Sequence, residues 1–286
     1  MGVGFTCPVT PPPLAQLLLA ACTALVLTAG CAIVPTGISS APPAASGAAT
    51  VSTSGARATT AASTPASPDA SASASATASP EPVDCTKVAC VALTFDDGPG
   101  EQTGALLDTL VRARAPAAFF LVGTMIRQEK AMARRIAATP GMTIANHTIT
   151  HPMLTRIPAA SARREIVQNS RLIEQVTGVK PRFFRPPYGL HNSAIDAVAR
   201  SLGQSVVLWS AGALDWEYDK PAKIVEATLP QIAPGAIVLA HDIHPWTIKA
   251  VPSLIAKLRA KGYSLVSLDD ILGPARPGKT YVRGRH

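Results

Sequence analysis

The chain has 286 residues and a formal net charge of +8, from 26 Lys and Arg against 18 Asp and Glu. One base (Arg57) and three acids (Asp69, Glu81, Asp84) precede Cys85, which leaves 25 bases against 15 acids from there onward. This positive charge favours binding to polyanionic neighbours, or it simply keeps the protein soluble. The sequence has no basic motif interleaved with aromatic residues, as nucleic-acid-binding proteins often have, so we expect no nucleic-acid partner.

The N-terminus is typical of an export signal. Leu14 to Gly30 is nearly uninterrupted in its apolar character, is short for a membrane span and ends in small residues. The end of this stretch, Leu27 to Cys31, resembles the lipobox of bacterial lipoproteins, which implies cleavage before Cys31 and lipid attachment to its sulfur. It departs from that pattern in having no Lys or Arg before the apolar run and in having Thr28 where an aliphatic residue is commonest. Residues 1–31 are therefore predicted to be an export signal, and plain cleavage or an uncleaved anchor are the alternatives to lipidation.

Residues 32–83 are dominated by Ala, Ser, Thr and Pro. Such a segment has too little apolar surface to offset its conformational entropy, so we expect a disordered linker that tethers a folded domain.

Five cysteines occur. Cys7 and Cys22 lie before or within the signal, and Cys31 is the candidate lipid acceptor. Cys85 and Cys90 stand at the start of the folded region and are predicted to form a disulfide in an oxidising compartment. Two free thiols or a metal pair are the alternatives, although no other cysteine remains to complete a metal site.

From Cys90 onward, short apolar runs alternate with amphipathic stretches, which favours parallel strands joined by helical crossovers. Strands are predicted at 91–95, 117–122, 142–145, 182–185, 205–209, 236–240 and 264–268. Helices are predicted near 103–114, 128–138, 160–177, 193–202, 221–231 and 247–261. About seven strands suit an α/β fold of the distorted (β/α) barrel type better than an open sheet, which the pattern alone does not exclude.

Polar residues follow five of these strands. They are Asp96-Asp97, His147, Pro187-Tyr188, Asp215-Trp216 and His241-Asp242. Because the carboxyl ends of barrel strands converge on one face, we expect these residues to form one site.

Two of these segments point to a metal ion. His147 and His151 lie four residues apart, so that on one helical turn both rings would face one cation. Asp96 and Asp97 are adjacent at a strand end before Gly98-Pro99, where the alternative is a turn with an Asp cap on the next helix. In the functional interpretation, one carboxylate completes a two-His, one-Asp metal site and the other acts as a base.

The set of motifs resembles the polysaccharide deacetylases of the NodB-homology type (carbohydrate esterase family 4). The matching segments, in order, are Thr94–Pro99, His147–His151, Arg185–Gly189, Asp215-Trp216 and Leu239–Asp242. The resemblance covers roughly Asp84 to Gly273 and implies a NodB-type distorted barrel as the catalytic domain at 84–275. Residues 276–286 are then expected to be a basic C-terminal tail.

The resemblance also implies roles for single residues. Asp97, His147 and His151 are expected to bind one divalent metal ion, most often zinc in this family. Asp96 is expected to be the general base, and Arg185 to keep it ionised and aimed, because a nearby positive charge lowers the pKa of a carboxyl group. A surface arginine is the alternative for Arg185.

On the substrate side, the backbone N–H of Tyr188 is expected to stabilise the oxyanion, and Tyr188 to contact the substrate. His241 is expected to protonate the leaving amine, with Asp215 holding its ring and raising its pKa. Trp216 and Leu239 are expected to receive the acetyl methyl group. The alternatives are ordinary core residues for Trp216 and Leu239 and a core histidine for His241.

One departure affects this prediction. Gly212 stands where many relatives carry another Asp, and Ala213 where they often carry Thr. This loss of polar groups near His241 predicts lowered or altered activity. Three further histidines, His191, His244 and His286, have no expected catalytic role, although His244 is close enough in sequence to line the cleft.

The predicted function is metal-dependent removal of N-acetyl groups from an amino-sugar polymer. Peptidoglycan N-acetylglucosamine or N-acetylmuramic acid is the first expectation, and chitin-like oligosaccharides the second. An O-acetyl (xylan) esterase using the same site and a non-catalytic glycan-binding lipoprotein are the alternatives. The N-terminal segment predicts membrane attachment and a location on the outer face of the membrane, or secretion into the wall.

Overall fold

The described part of the chain, residues 83–286 in a computed structural model, alternates short buried strands with helices. The predicted signal at 1–31, the lipidation of Cys31 and the linker up to residue 82 lie outside the described residues. Within residues 83–286, every helix is too short or too polar to cross a bilayer.

All strand pairs of the sheet are parallel. The strands are β1 Cys90–Asp96, β2 Ala117–Leu121, β3 Met142–Asn146, β4 Phe183–Phe184, β5 Ser205–Val207, β6 Ala211–Gly212, β7 Ala236–His241, β8 Ser264–Leu265 and β9 Thr280–Tyr281. Their order is β6-β7-β1-β2-β3-β4-β5-β9, and β8 also pairs with β1. The sheet curls into a half-barrel, so the predicted α/β class with parallel strands and a distorted barrel is confirmed.

Helices connect the strands in the expected rhythm. They are α1 Thr103–Arg112, α2 Gly123–Gln128, α3 Lys130–Ala138, α4 Ala159–Thr177, α5 Ser193–Ser201, α6 Pro221–Thr228, α7 Pro245–Ala260 and α8 Leu268–Leu272. Side-chain caps explain two of the starts: Asn192 accepts from the Ile195 N–H before α5, and Ser267 and Asp270 form a capping box before α8.

Both faces of the sheet are buried, which explains why its central strands are almost wholly apolar. Alternate residues along β1 and β2, such as Leu93 and Phe119, pack against helices α1, α3, α6 and α7 on the outer face. The intervening residues, such as Ala92 and Phe120, pack on the inner face with residues of α8. The inner cluster includes Cys85, which is joined to Cys90 by a disulfide.

The residues that we expected to be a basic C-terminal tail, 276–286, are bonded to the rest of the domain. Strand β9 pairs with β5, and the residues after it donate backbone hydrogen bonds to the carbonyls of Gly235 and Ile271. Two-residue strands such as β6 and β9 carry no periodic signal, so the sequence pattern missed both. It also missed the short helices α2 and α8 and extended four of the predicted strands (117–122, 182–185, 205–209, 264–268) beyond their actual ends.

We predict that deleting residues 276–286 destabilises the domain. The segment shares five backbone hydrogen bonds with the rest of the chain, through Gln204, Val206, Leu208, Gly235 and Ile271. At a net ~1 kcal/mol each, their loss should lower the free energy of unfolding by roughly 3 kcal/mol or more, measured by urea denaturation. Deleting His286 alone should change little, because its ring contacts only the Gly284 carbonyl of the same segment among the described residues. Equal stability of the full chain and the longer deletion would mean that the segment is a tail after all.

Candidate functional site

The polar residues predicted at strand ends do meet at the carboxyl edge of the sheet. Asp96, the last residue of β1, lies opposite His241, the last residue of β7, in the parallel register. Asn146 ends β3 opposite Phe184 of β4, so that the next residues, His147 and Arg185, leave the sheet side by side. Pairing register therefore brings together residues that are up to 145 positions apart in sequence.

Asp97, His147 and His151 form a cluster with the geometry of a metal site. One ligand atom from each lies within 4.8 Å of the others. His147 Nε2 and His151 Nε2 are 3.5 and 3.3 Å from Asp97 Oδ1. Ligands about 2.1 Å from a zinc ion at tetrahedral angles are about 3.4 Å apart, so these spacings fit. Asp97 Oδ1 is also buried without a hydrogen-bond partner among the described residues, and a cation would satisfy it.

The two histidines do not lie on one helical turn, so that part of the prediction is wrong. Thr148 and His151 have φ values of 69° and 57°, which a right-handed α-helix does not contain. Asp97, with φ 75°, shares this left-handed conformation. Four of the six non-glycine residues with positive φ in the described chain belong to this site, the fourth being Tyr188. Such strain persists only where the surroundings hold it, and it concentrates at functional sites.

A backbone contact sets the tautomer of His147. Its Nδ1 lies 2.7 Å from the Arg185 carbonyl oxygen, which can only accept, so Nδ1 carries the proton and Nε2 offers a lone pair. Burial lowers the pKa of His147 to about 3, which keeps the ring neutral as a metal ligand must be.

Arg185 is fully buried beneath Asp96. Its Nη1 donates to Asp96 Oδ1 at 2.7 Å and to Thr94 Oγ1 at 2.9 Å. Its Nε and Nη2 donate to the carbonyls of Val207 and Leu208, and its guanidinium carbon lies 4.0 Å from the Phe120 ring centroid. This arginine is not on the surface, and its donors are anchored on several strands.

The effect of Arg185 on the charge of Asp96 differs from expectation. Burial raises the pKa of Asp96 above its ordinary value, and the guanidinium offsets only part of that rise. Asp96 therefore binds a proton more tightly than an ordinary carboxylate. A general base with a raised pKa accepts a proton more readily than one whose pKa is strongly lowered.

His241 and Asp215 form a second pair across the cleft from the histidine loop. His241 Nδ1 lies 2.8 Å from Asp215 Oδ1, and Asp215 Oδ2 accepts from the His241 N–H and the Thr247 hydroxyl. Burial lowers the pKa of His241, but the hydrogen bond and charge of Asp215 exceed that effect and raise the pKa to about 9. Burial likewise raises the pKa of Asp215, but the hydrogen bonds from His241 and Thr247 and the charge of His241 together exceed that effect, so the pKa of Asp215 is lowered. The imidazole is therefore protonated at neutral pH.

Aromatic side chains border the site on both sides. Trp216 is 54% exposed, and its ring stands perpendicular to that of His241 at 5.6 Å between centroids. Leu239 is buried and pairs in register with Gly212, over which the Trp216 ring extends. On the other side, the Tyr188 ring is exposed and lies 4.9 Å from the His151 ring. Among the described hydrogen bonds none uses the Tyr188 backbone N–H, which leaves it available.

Asp242 was noted in the fifth motif but given no role. It is fully buried, its Oδ2 accepts from the Thr103 hydroxyl at 2.5 Å, and Thr103 Oγ1 accepts in turn from the Gly100 N–H. A Cβ on Gly98 would lie 2.1 Å from Asp242 Oδ2, so only glycine permits this approach. Asp242 thus packs against the turn that follows Asp97. An aspartate directly after a strand-end histidine was the only signal in the sequence.

Comparison with known proteins agrees with this geometry. The profile of the family described as polysaccharide deacetylase matches residues 84–207. A chitooligosaccharide deacetylase of Bradyrhizobium is 35% identical over 204 residues, covering 66% of this chain and 93% of that protein. The chain belongs to the polysaccharide deacetylase family.

Other polysaccharide deacetylases extend the comparison. The peptidoglycan-N-acetylglucosamine deacetylase of Listeria monocytogenes is 34% identical over 193 residues, 67% of this chain. That match spans only 41% of the Listeria protein. The solved structure of the T48 deacetylase with substrate aligns with a TM-score of 0.65 and 40% identity, covering 70% of this chain and 99% of that chain.

We predict that Asp242 makes stability fall as pH rises. Burial raises its pKa from 3.8 to about 7, so the folded protein retains a proton that the unfolded chain releases between those values. The contribution of Asp242 to stability is full below about pH 4 and declines toward pH 7, by up to about 4 kcal/mol at roughly 1.4 kcal/mol per pH unit. In metal-free protein, Asp242→Asn should remove this decline, measured by urea unfolding at each pH. Asp219→Asn, an exposed carboxylate, is the control; parallel curves for wild type and Asp242→Asn would contradict the prediction.

Proposed function

We propose that this protein is a metal-dependent hydrolase that removes N-acetyl groups from an amino-sugar polymer. One observation carries the proposal: two adjacent carboxylates have different main partners. Asp97 faces both His147 and His151, whereas Asp96 is bound by the buried Arg185 and approaches only one of the two rings, that of His147 at 3.6 Å. An amide hydrolase needs this division, because one carboxylate must hold a cation while the other remains free to take a proton.

Asp97, His147 and His151 are the residues that would hold the cation. Nitrogen and carboxylate donors in this number suit zinc, which we propose as the native metal. A divalent cation bound there supplies Lewis acidity, which lowers the pKa of water and polarises an acyl oxygen.

The remaining residues supply proton transfers and positioning. Asp96 accepts the proton of the attacking water, and Arg185 fixes its orientation. The Tyr188 N–H donates to the oxyanion that develops on the acetyl carbon. His241 donates its Nε2 proton to the leaving amine while Asp215 holds Nδ1. Trp216 and Leu239 provide the apolar wall for the acetyl methyl group.

Peptidoglycan N-acetylglucosamine is the substrate that we favour, with N-acetylmuramic acid and chitin-like oligosaccharides as the next candidates. The relatives act on either polymer: the Listeria protein is a peptidoglycan deacetylase and the Bradyrhizobium protein a chitooligosaccharide deacetylase. The predicted export signal and tether support peptidoglycan, because a protein held at the outer face of the membrane meets the wall first. We propose that location together with lipidation at Cys31.

Gly212 is the feature that favours a non-catalytic glycan-binding protein. Its N–H and carbonyl are both bonded to the Gln231 side chain, and a Cβ there would have ordinary contacts with Trp216 and Leu214. The His241–Asp215 pair, however, is held by Asp215 contacts that do not involve residue 212. His241 therefore keeps its hydrogen bonds to Asp215 without a side chain at position 212, which supports a catalytic role.

The purified protein should release acetate and generate free amines from peptidoglycan, lose this activity to a chelator and regain it with zinc. Asp96→Asn should lower kcat about 100- to 10,000-fold and still bind zinc, because it removes the base and leaves the ligands. Acetate release from acetylxylan but not from peptidoglycan or chitin oligomers would favour the esterase. Sugar binding without acetate release, equal in wild type and Asp96→Asn, would favour the binding protein.

The alkaline limb of the pH profile tests His241. An acid must be protonated, so kcat/KM should fall as pH rises through about 9, the pKa of the ring. Asp215→Asn removes the charge that raises this pKa, so the limb should move to lower pH and kcat at pH 8 should drop about 10- to 100-fold. Asp196→Asn is the matched control, because Asp196 makes a 2.7 Å contact with His191 in the same way. An unmoved limb in Asp215→Asn would exclude His241 as the acid.

A further inference from the structure

In the loop that carries His147 and His151, the backbone N–H groups after His147 are bonded to side chains. The N–H groups of Thr148, Ile149, Thr150 and His151 donate in succession to Asn146 Oδ1, to Glu165 Oε2 twice and to Thr148 Oγ1. In a helix or strand, such groups would bond to other backbone. Four successive amides therefore depend on three side chains, two of which lie in or directly before the loop itself.

Glu165 is the exception, because it reaches the loop from α4. Its carboxylate accepts from the Ile149 and Thr150 N–H groups at 3.0 and 2.8 Å and from the Thr150 hydroxyl at 2.9 Å. On the carbonyl side, the loop accepts from the Gly123 and Thr124 N–H groups at the start of α2. The loop is thus clamped between two helices, and Glu165 makes the direct hydrogen bonds on the α4 side, while Asn169 of the same helix donates to Asn146 Oδ1.

His151 depends on this clamp more than His147 does. The His147 ring is anchored by its Nδ1 contact with the Arg185 carbonyl. No hydrogen bond from the described residues anchors the His151 ring, which is about a quarter exposed and, besides the neighbouring rings of His147 and Tyr188, has its approach to Asp97. Its direction is set by the backbone, whose φ of 57° at His151 is strained for a residue with a Cβ. A backbone relaxed toward negative φ would turn this ring away from Asp97.

We propose that Glu165 is a positioning residue that sets the metal affinity of the Asp97–His147–His151 site by holding the two backbone N–H groups that precede His151. The inference rests on the proposed function, because it requires that the site binds a cation. Glu165 acts through the length of its side chain and not through its charge. Its carboxylate oxygens accept hydrogen bonds from backbone amides, and it is not one of the three ligand residues. Outer residues that orient metal ligands typically change affinity 10- to 100-fold when they are removed.

Two conservative substitutions separate the effect of side-chain length from the effect of charge. Glu165→Gln keeps the length of the side chain, so its carbonyl oxygen can accept both N–H groups and its NH₂ can donate to the Thr150 hydroxyl. Glu165→Asp keeps the charge but is one methylene shorter, which withdraws the carboxylate from the loop. Glu165→Ala removes both properties. Glu174→Ala is the control, because Glu174 is an exposed glutamate of the same helix.

The experiment measures the zinc dissociation constant of each full-length variant by competition with a chromophoric chelator. Absorption spectra of the Co²⁺-loaded proteins report ligand geometry, and melting of the metal-free proteins reports folding. We expect Glu165→Asp and Glu165→Ala to bind zinc 10- to 100-fold more weakly with altered cobalt spectra, and Glu165→Gln and Glu174→Ala to stay within about three-fold of wild type.

Wild-type zinc affinity in Glu165→Asp, or weak binding in Glu165→Gln with tight binding in Glu165→Asp, would overturn the inference. Failure of the wild-type protein itself to bind zinc would instead refute the proposed metal centre. If Glu165→Ala does not fold, the comparison of Glu165→Gln with Glu165→Asp still decides, because each retains part of the original side chain.

Discussion

The ion pair between Arg185 and Asp96 is the contact around which the described domain is organised. A guanidinium with no exposed surface is costly to bury, and it is tolerated only when its donors are paired and its partner charge is close. Arg185 meets this condition with donors directed at β1 and at the end of β5, while its own carbonyl orients His147. Loss of this one side chain would leave the base unpaired and the interior of the half-barrel with a polar cavity.

The different chemical roles of Asp96 and Asp97 follow from the different directions in which their side chains point. Asp96 is the last residue of a strand and continues the alternation that faces the inner side of the sheet. Asp97 leaves the strand in a left-handed conformation and turns toward the histidine loop. A single backbone reversal therefore gives adjacent, chemically identical groups different partners and different degrees of burial. Gly98, which has no Cβ, lets this turn pack directly on Asp242.

Much of the fold and of the site could be predicted from the sequence, because both produce strong patterns. Strands β1, β2 and β7 are mostly apolar and β3 is partly so, and the alternation of these strands with helices predicts parallel pairing. The site residues stand at the ends of these strands, where parallel register must bring them together. The failures have equally physical causes. The loop from His147 to His151 has helical spacing but takes its shape from contacts with Asn146 and Glu165, and only tertiary structure supplies the second of these. The direction of the pKa shift of Asp96 depends on how deeply the Asp96–Arg185 pair is buried, and the sequence alone does not give this burial.

The strand order has a consequence for how the protein matures. Strand β1, near the beginning of the domain, lies between β2 and β7, and the Thr94 hydroxyl bonds to the Val238 carbonyl across 144 positions. Most of the domain must therefore be synthesised before the Asp96–Asp97 turn has its native neighbours, and contacts of such long range slow folding. The β9 segment follows later still. The three ligand residues lie between positions 97 and 151, but Asp242, which packs against the turn after Asp97, follows β7, so the metal site acquires its complete surroundings only in a nearly finished domain.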